Sequence, residues 1–151
     1  MGDDRYAPEL SVTRADSITM AIRGLGFGNP AAGASFSDVA QDAYYAGFVS
    51  KAAELGLAEG DKGRFRPEDS LTREEAVAVM LRLYDYLKLP ASPAAADAAS
   101  FSDMDEASEW AKPYIDKARK LGLIDGKGNN EFDPQGKVTR AEIAKMLSIL
   151  F

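Results

Sequence analysis

The chain has 151 residues, of which 46% are apolar, so it is long enough to bury a hydrophobic core. Its 18 basic and 24 acidic residues give a net charge of −6, which argues against nucleic acid or an anionic membrane surface as the partner. It contains no histidine and no cysteine, which excludes imidazole bases, thiolate nucleophiles, and zinc or iron–sulfur sites built on those ligands.

The N-terminal residues 1–4 carry neither a basic end nor an apolar stretch, so they do not form a signal peptide. We therefore expect an expressed fragment whose export signal lies upstream. The absence of cysteine fits an exported bacterial protein. No apolar run approaches the roughly 20 residues of a membrane-spanning helix, so we expect no membrane insertion.

One motif occurs three times with identical spacing: an aromatic residue, any residue and Pro, followed after four residues by Thr-Arg-x-acid. Its threonines are Thr13, Thr72 and Thr139. Each is predicted to cap a helix, because its hydroxyl and the acid three positions on can satisfy free backbone N–H groups. Apolar residues at helical spacing predict three amphipathic helices. Their apolar positions are Ile18, Ile22 and Leu25; Ala76, Met80, Leu83 and Leu87; and Ile143, Leu147 and Leu150.

A second motif, Phe-Ser-Asp, precedes two of these copies, at Phe36 and Phe101. Each instance opens a helical stretch, and the helices are predicted over about residues 42–55 and 109–121. Pro113 is compatible with the second of them because it falls in the first turn, where its missing N–H costs no hydrogen bond.

These helices end at Leu-Gly pairs, where Gly56 and Gly122 are predicted to supply left-handed C-caps. Two segments rich in Ala, Pro and Gly read as connectors. The sequence therefore predicts an all-α protein of tandem helix-loop-helix repeats with long loops. Its predicted parts are residues 1–27, the C-terminal half of a first unit; 28–35, a connector; 36–88, a second unit; 89–100, a connector; and 101–151, a third unit.

Taken in order, Phe-x-Asp, an aromatic residue, Gly-Leu, Phe-x-Pro and Thr-Arg-Ala-Glu resemble the S-layer homology domain over nearly the whole chain. The resemblance implies a non-catalytic anchor at the bacterial cell surface. In that family, three units form a pseudo-threefold bundle, and the grooves between them bind a secondary cell-wall polysaccharide that often bears a pyruvate ketal. We predict no cofactor and no metal site.

The resemblance also assigns residues to the polysaccharide: Arg14, Arg73 and Arg140; Asp38 and Asp103; the aromatic residues Tyr44 and Trp110; and the loop glycines Gly60 and Gly126. The sequence departs from the family pattern in two places. The first copy lacks its front half, and Tyr44 stands where the family usually has Trp.

Each assignment has a structural alternative. A cation in the first turn of a helix costs about 0.3–1 kcal/mol against the helix dipole, so its threefold repetition favours an anion held by Arg and the N-terminal amides. The alternative for the arginines is a salt bridge between units, to Asp38, Asp103 or a neighbouring acid. Trp110 and Tyr44 either stack on sugar or belong to the core. The two aspartates either contact sugar hydroxyls or cap backbone, and the glycines supply positive φ.

The sequence bears on three other functions. Residues 125–133 look like a calcium loop, but Lys127, Asn130 and Gly136 stand where an EF-hand needs an oxygen ligand, Gly and Glu. A carboxylate-based glycosidase needs two acids converging about 5–10 Å apart, whereas capping explains the repeated acids. The remaining alternative is a structural domain that mediates self-association at the cell surface.

Overall fold

The computed structural model describes residues 10–28, 30–31, 33, 36–58, 62–89, 101–124 and 131–150. These residues form five α-helices and no sheet, so the predicted all-α class is confirmed for the described chain. The helices are α1 Arg14–Gly24, α2 Ala46–Glu54, α3 Arg73–Leu87, α4 Lys112–Lys120 and α5 Arg140–Leu150. A short 3₁₀ helix, Met104–Glu106, precedes α4. None of these helices has the length and apolar character that crossing a membrane requires.

The Thr-Arg motifs begin α1, α3 and α5, as predicted. Thr72 Oγ1 accepts the N–H of Glu75 at 3.3 Å, and Glu75 Oε1 accepts the N–H of Thr72 at 3.0 Å. This reciprocal pair is the predicted capping box, and α5 repeats both bonds. At α1, Thr13 Oγ1 accepts the N–H of Asp16 at 3.1 Å. The shorter Asp16 side chain accepts from the Tyr44 hydroxyl.

The helices α2 and α4 begin three to four residues later than predicted from Asp42 and Glu109. The residues before them form turns closed by hydrogen bonds between residues three apart, and neither helix has a side-chain N-cap in the described chain. Tyr44 and Trp110 therefore lie on these turns rather than inside helices, which corrects their predicted placement. Both side chains are exposed, by 67% and 48%, so neither belongs to the core.

The predicted glycine C-caps are confirmed. Gly56 and Gly122 have φ values of +78° and +75°, in the left-handed region. Beyond Gly56, the Leu57 N–H reaches back to Ala52 O at 2.8 Å, and α4 ends in the same way. This pattern closes the helix and turns the chain inward, so that Leu57 is fully buried.

Three buried residues, each directly before a motif threonine, join the helix starts. Val12 N donates to Val138 O at 2.9 Å, Val138 N to Leu71 O at 2.9 Å, and Leu71 N to Val12 O at 3.0 Å. These three hydrogen bonds close a ring at the centre of the protein. The three Thr-Arg segments are distant in sequence, but their first residues therefore lie side by side in the fold.

A continuous hydrophobic core surrounds this ring. In it, α1 packs on α2 and α3 packs on α4, so each of these Thr-Arg helices contacts the front helix of the following unit. The predicted apolar positions of α1, α3 and α5 are buried, except that Leu25 and Leu87 near the helix ends are partly buried. The packing thus brings the motif arginines to junctions between units.

Candidate functional site

Arg14, the first residue of α1, lies at the junction between the first and second units. Its Nε donates to Phe65 O at 2.8 Å and its Nη1 to Glu75 Oε2 at 2.9 Å. The guanidinium also lies over the Phe65 ring, 5.0 Å from the centroid. Burial lowers the pKa of Arg14, and the Glu75 carboxylate partly offsets this shift.

Arg73 repeats this arrangement between the second and third units. Its Nε donates to Phe132 O at 2.7 Å, its Nη1 to Glu142 Oε2 at 2.9 Å, and it lies 4.7 Å from the Phe132 centroid. The salt bridges between units that were considered as an alternative therefore exist. Their partners are the capping glutamates, Glu75 for Arg14 and Glu142 for Arg73.

The N-terminal amides of these helices are used by the protein itself. Arg14 N donates to Asp69 O at 2.9 Å and Ala15 N to Pro67 O at 3.0 Å. The amides of Arg73 and Glu74 donate in the same way to carbonyls of the third unit. The expectation that an anion is held by arginine and helix amides together is therefore wrong for α1 and α3. The loop that follows Phe-x-Pro occupies those donors.

Arg140 takes part in a different cluster. Its Nη1 lies 3.9 Å from Asp16 Oδ2, and the Tyr44 hydroxyl donates to the other oxygen of the same carboxylate. Burial, together with this hydrogen bond, raises the pKa of Tyr44. The cluster joins Arg140 of the third unit, Asp16 of the first and Tyr44 of the second.

The aspartates of the Phe-Ser-Asp motifs bind backbone. Asp38 accepts the N–H groups of Phe65 at 2.7 Å and Arg66 at 2.8 Å, one on each carboxylate oxygen. Asp103 makes the equivalent pair in the third unit. Arg66 has a φ of +60° immediately before a proline, a conformation that costs energy for a residue with a side chain. Each aspartate thus holds its Phe-x-Pro loop in place.

Acid is expected to weaken the fold through Asp38. Partial burial by itself would raise its pKa, but hydrogen bonds from Phe65 and Arg66 outweigh burial and lower the pKa below its usual value of 3.8. A depressed folded-state pKa adds stability at pH values above 3.8, and that stability is lost as the pH falls through the folded-state value. Between about pH 6 and pH 2, the free energy of unfolding measured with urea should therefore fall less for Asp38→Asn than for the parent. Equal losses in both proteins would contradict this role for Asp38.

A cleft of about 360 Å³ lies next to Arg14. It receives side chains from all three predicted units, because α1, the Phe65 loop, α3, the turn before α4 and α4 itself converge there. Within the described part of the chain, its charged lining consists of Arg14, Arg64, Arg66, Arg82 and Glu75, and its aromatic side chains include Trp110 and Tyr114. Two residues predicted from the sequence, Arg14 and Trp110, are thus brought into one cleft.

Glu75 organises the positive charge at this cleft. Its Oε2 accepts from Arg14 Nη1 at 2.9 Å and from Arg66 Nη2 at 3.0 Å, while its Oε1 accepts from Thr72. One carboxylate thereby fixes two guanidinium groups side by side. The other two arginines leave the cleft with a surplus of positive charge, although the whole chain is acidic.

Four cleft residues lie outside the repeated motifs and were not predicted from the sequence: Arg64, Arg66, Arg82 and Tyr114. The signal for two of them was present, because Arg64 and Arg66 flank Phe65 as a basic pair. The other two became recognisable only when α3 and α4 packed together. The predicted residues Gly60 and Gly126 lie outside the described residues, as do residues 125–130 of the calcium-like segment.

Comparison with known proteins identifies related sequences. The family profile of the S-layer homology domain matches residues 35–77 and 100–144, more than half of the chain. An amylopullulanase from Thermoanaerobacterium thermosulfurigenes is 38% identical over 147 residues, which cover 97% of this chain and 8% of the relative. The exoglucanase XynX from Acetivibrio thermocellus is also 38% identical, over 97% of this chain and 13% of the relative.

An S-layer protein from Bacillus thuringiensis subsp. finitimus is 38% identical over 118 residues, 78% of this chain and 14% of the relative. The chain therefore spans between 8% and 14% of the length of these curated relatives. The segment that these proteins share with this chain therefore occurs both in an S-layer protein and in proteins named as an amylopullulanase and an exoglucanase.

Proposed function

This chain belongs to the S-layer homology domain family, and on that premise we propose that it is a non-catalytic module that anchors a larger protein to the bacterial cell wall. Its ligand is an anionic secondary cell-wall polysaccharide, in particular one that carries a pyruvate ketal. The ligand binds in grooves between the repeated units. The module works at the cell surface, where S-layer and cell-surface relatives are found.

One observation carries this proposal: the Arg14 cleft combines a cluster of guanidinium groups with two aromatic side chains. A ketal carboxylate needs a guanidinium, which offers two parallel N–H donors to a carboxylate. Sugar rings pack on flat apolar faces, and the exposed Trp110 supplies one, while Tyr114 contacts Trp110 edge-to-face and carries Arg82 over its ring. A pyruvylated sugar presents both features in one residue, so it matches this cleft.

The acidic net charge of the chain does not oppose this binding at contact. Charges on exposed groups are screened beyond about 8 Å at physiological salt, so the groups lining the cleft decide the interaction. Within the cleft, Arg14 is fixed by Phe65 O and Glu75 and is therefore oriented before the ligand arrives. A side chain that is already ordered loses less entropy on binding.

Arg140, Tyr44, Gly60 and Gly126 stay predictions for the other grooves. Arg73 repeats the contacts of Arg14 between the second and third predicted units. For Asp38 and Asp103 we propose an indirect role, because their carboxylates are used by backbone N–H groups. They hold the Phe-x-Pro loops whose carbonyls orient Arg14 and Arg73.

We also propose that the units form a pseudo-threefold bundle with the boundaries predicted from the sequence. The ring of hydrogen bonds among Val12, Leu71 and Val138 supports this arrangement, because each segment donates to one neighbour and accepts from the other. The equivalent contacts of Arg14 and Arg73 support it as well.

Catalysis is not part of the proposal. Glycoside hydrolysis with two carboxylates requires the pair to face each other about 5–10 Å apart. Among the described residues, the Arg14 cleft is lined by one carboxylate, that of Glu75. It is engaged with two arginines and a helix N-terminus.

The test is isothermal titration of the chain with purified secondary cell-wall polysaccharide, before and after mild acid removes the pyruvate ketal. We expect binding heat with the pyruvylated polymer and its loss after the ketal is removed. The chain's folded state is checked by circular dichroism in the same buffer.

Equal heat with both polymers would show that the carboxylate is not recognised and would overturn the anionic part of the proposal. No heat from a folded chain with either polymer would overturn polysaccharide anchoring. In that case the self-association predicted as the alternative would be examined by solution mass.

A further inference from the structure

The two described arginine junctions have the same internal contacts but different surroundings. Arg14 and Arg73 each donate through Nε to a Phe carbonyl and through Nη1 to a capping glutamate, and each lies over a Phe ring. If these contacts alone determined ligand binding, the two arginines would contribute equally. The charges of the residues around the two arginines differ, so equal contributions are not expected.

The surroundings of Arg14 are cationic. Among the described residues, four arginines and one glutamate line the cleft, a net charge of +3. Arg64 and Arg66 come from the positions on either side of Phe65, and Arg82 comes from the third turn of α3.

The matching positions around Arg73 are acidic or apolar. Alignment of Phe65 with Phe132 and of the motif arginines Arg73 and Arg140 pairs the second unit with the third. The counterparts are Glu131 for Arg64, Asp133 for Arg66, Ile149 for Arg82 and Glu142 for Glu75. One arginine then faces three acids, a net charge of −2.

Neighbouring acids do not remove this difference. Arg66 Nη1 also lies 3.3 Å from Asp69, and Arg64 Nε lies 3.8 Å from Asp38. Including these two acids lowers the charge around Arg14 to +1. At the Arg73 junction, Asp103 corresponds to Asp38 and Gly136 to Asp69, and Arg119 lies over the Phe101 ring that stacks on Phe132, which gives −2. The difference between the two junctions is three charges in the larger set and five in the smaller one.

The backbone conformation at Arg66 in the second unit is the same as that at its counterpart Asp133 in the third unit. Arg66 and Asp133 have φ values of +60° and +61°, and each precedes a proline. Each N–H is held by the aspartate of its own unit. The loop geometry therefore accepts either charge, and the sequence has placed opposite charges on equivalent scaffolds.

We infer that the acidic sugar binds at the Arg14 cleft and not at the equivalent Arg73 junction, where the same arginine contacts serve to join two units. This inference rests on the proposed function, because it concerns the same class of ligand. An anion approaching Arg73 meets carboxylates that repel it, whereas at Arg14 it meets further guanidinium groups.

The experiment compares Arg14→Ala with Arg73→Ala, a matched pair that loses the same three contacts. The probe is the methyl glycoside of a hexose that carries a pyruvate ketal, titrated calorimetrically into each folded variant. We expect Arg14→Ala to weaken binding at least tenfold and Arg73→Ala to change it less than threefold. Urea unfolding is expected to show similar stability losses in both variants.

A second variant tests the charges without removing either motif arginine. Arg64→Glu combined with Arg66→Asp gives the cleft the residues that the third unit carries at these positions. Because Asp133 shows that an aspartate fits this loop geometry, the fold should persist, and binding should fall more than tenfold.

The outcomes separate this inference from the proposed function. If the parent binds the probe and Arg73→Ala weakens that binding as much as Arg14→Ala does, the inference is overturned and the anchoring proposal stands. Unchanged binding in the Arg64→Glu and Arg66→Asp double variant would overturn it as well. If the parent bound neither the probe nor the pyruvylated polymer, that result would instead count against the proposed function.

Discussion

Replacing Asp103 with alanine is expected to lower the free energy of unfolding by about 3 kcal/mol. Asp103 is only 7% exposed, and its two oxygens accept the N–H groups of Phe132 at 2.9 Å and Asp133 at 2.7 Å. Hydrogen bonds to a charged group are stronger than those between neutral groups. The alanine variant leaves the backbone N–H groups of Phe132 and Asp133 without their acceptor. The left-handed backbone at Asp133 also loses its support.

Urea unfolding at neutral pH measures this effect, with Asp105→Ala as the matched control. Asp105 is an exposed acid in the adjacent 3₁₀ helix, so its replacement should change stability by less than about 0.5 kcal/mol. Asp103→Asn should be nearly as harmful as alanine, because its amide nitrogen would face a backbone N–H donor. Equal stability of Asp103→Ala and Asp105→Ala would contradict the role assigned to this carboxylate.

Replacing Trp110 with alanine is expected to weaken binding of the pyruvylated polymer by about 30- to 100-fold. Trp110 is 48% exposed, lines the Arg14 cleft, and packs edge-to-face with Tyr114 at 6.1 Å between centroids. Covering its free face with a sugar is worth about 2–3 kcal/mol at typical transfer energies. The loss should persist in high salt, since it does not depend on charge.

The control for Trp110→Ala is Tyr86→Ala, which removes an aromatic side chain of similar exposure, 42%, near the end of α3 and outside the cleft lining. Titration calorimetry should give parent-like affinity for this variant. Circular dichroism should show both variants folded, because neither side chain is in the core. If Trp110→Ala also bound like the parent, the cleft would not be the sugar-binding surface.

Much of the local structure could be predicted from residues close together in sequence. The pairing of Thr72 with Glu75 depends on a spacing of three, and the closure at Gly56 depends on the residue that tolerates positive φ. Such features use hydrogen bonds within one turn of chain, so a short motif specifies them. The starts of α2 and α4 were predicted less well, because no side chain caps them in the described chain and four-residue turns compete with the helix there.

For the candidate site as well, the features that depend on local motifs could be predicted and those that depend on distant contacts could not. Arg14 and Trp110 could be named from repeated motifs, but the use of helix amides by Pro67 and Asp69 carbonyls could not. Those acceptors lie more than 50 residues along the chain from the Arg14 and Ala15 amides that donate to them. The same holds for Glu75, identified from sequence as a cap and found in the structure to hold two arginines as well.

The sequence by itself determined that this chain is a set of capped helices in repeated units, because caps, glycines and apolar spacing act over a few residues. It also contained the charge difference between the Phe65 and Phe132 loops. Only the tertiary structure decided that Arg14, Arg64, Arg66, Arg82 and Trp110 share one cleft. That convergence depends on burying apolar faces of helices from three units around one core, and this packing is a property of the whole chain rather than of any motif.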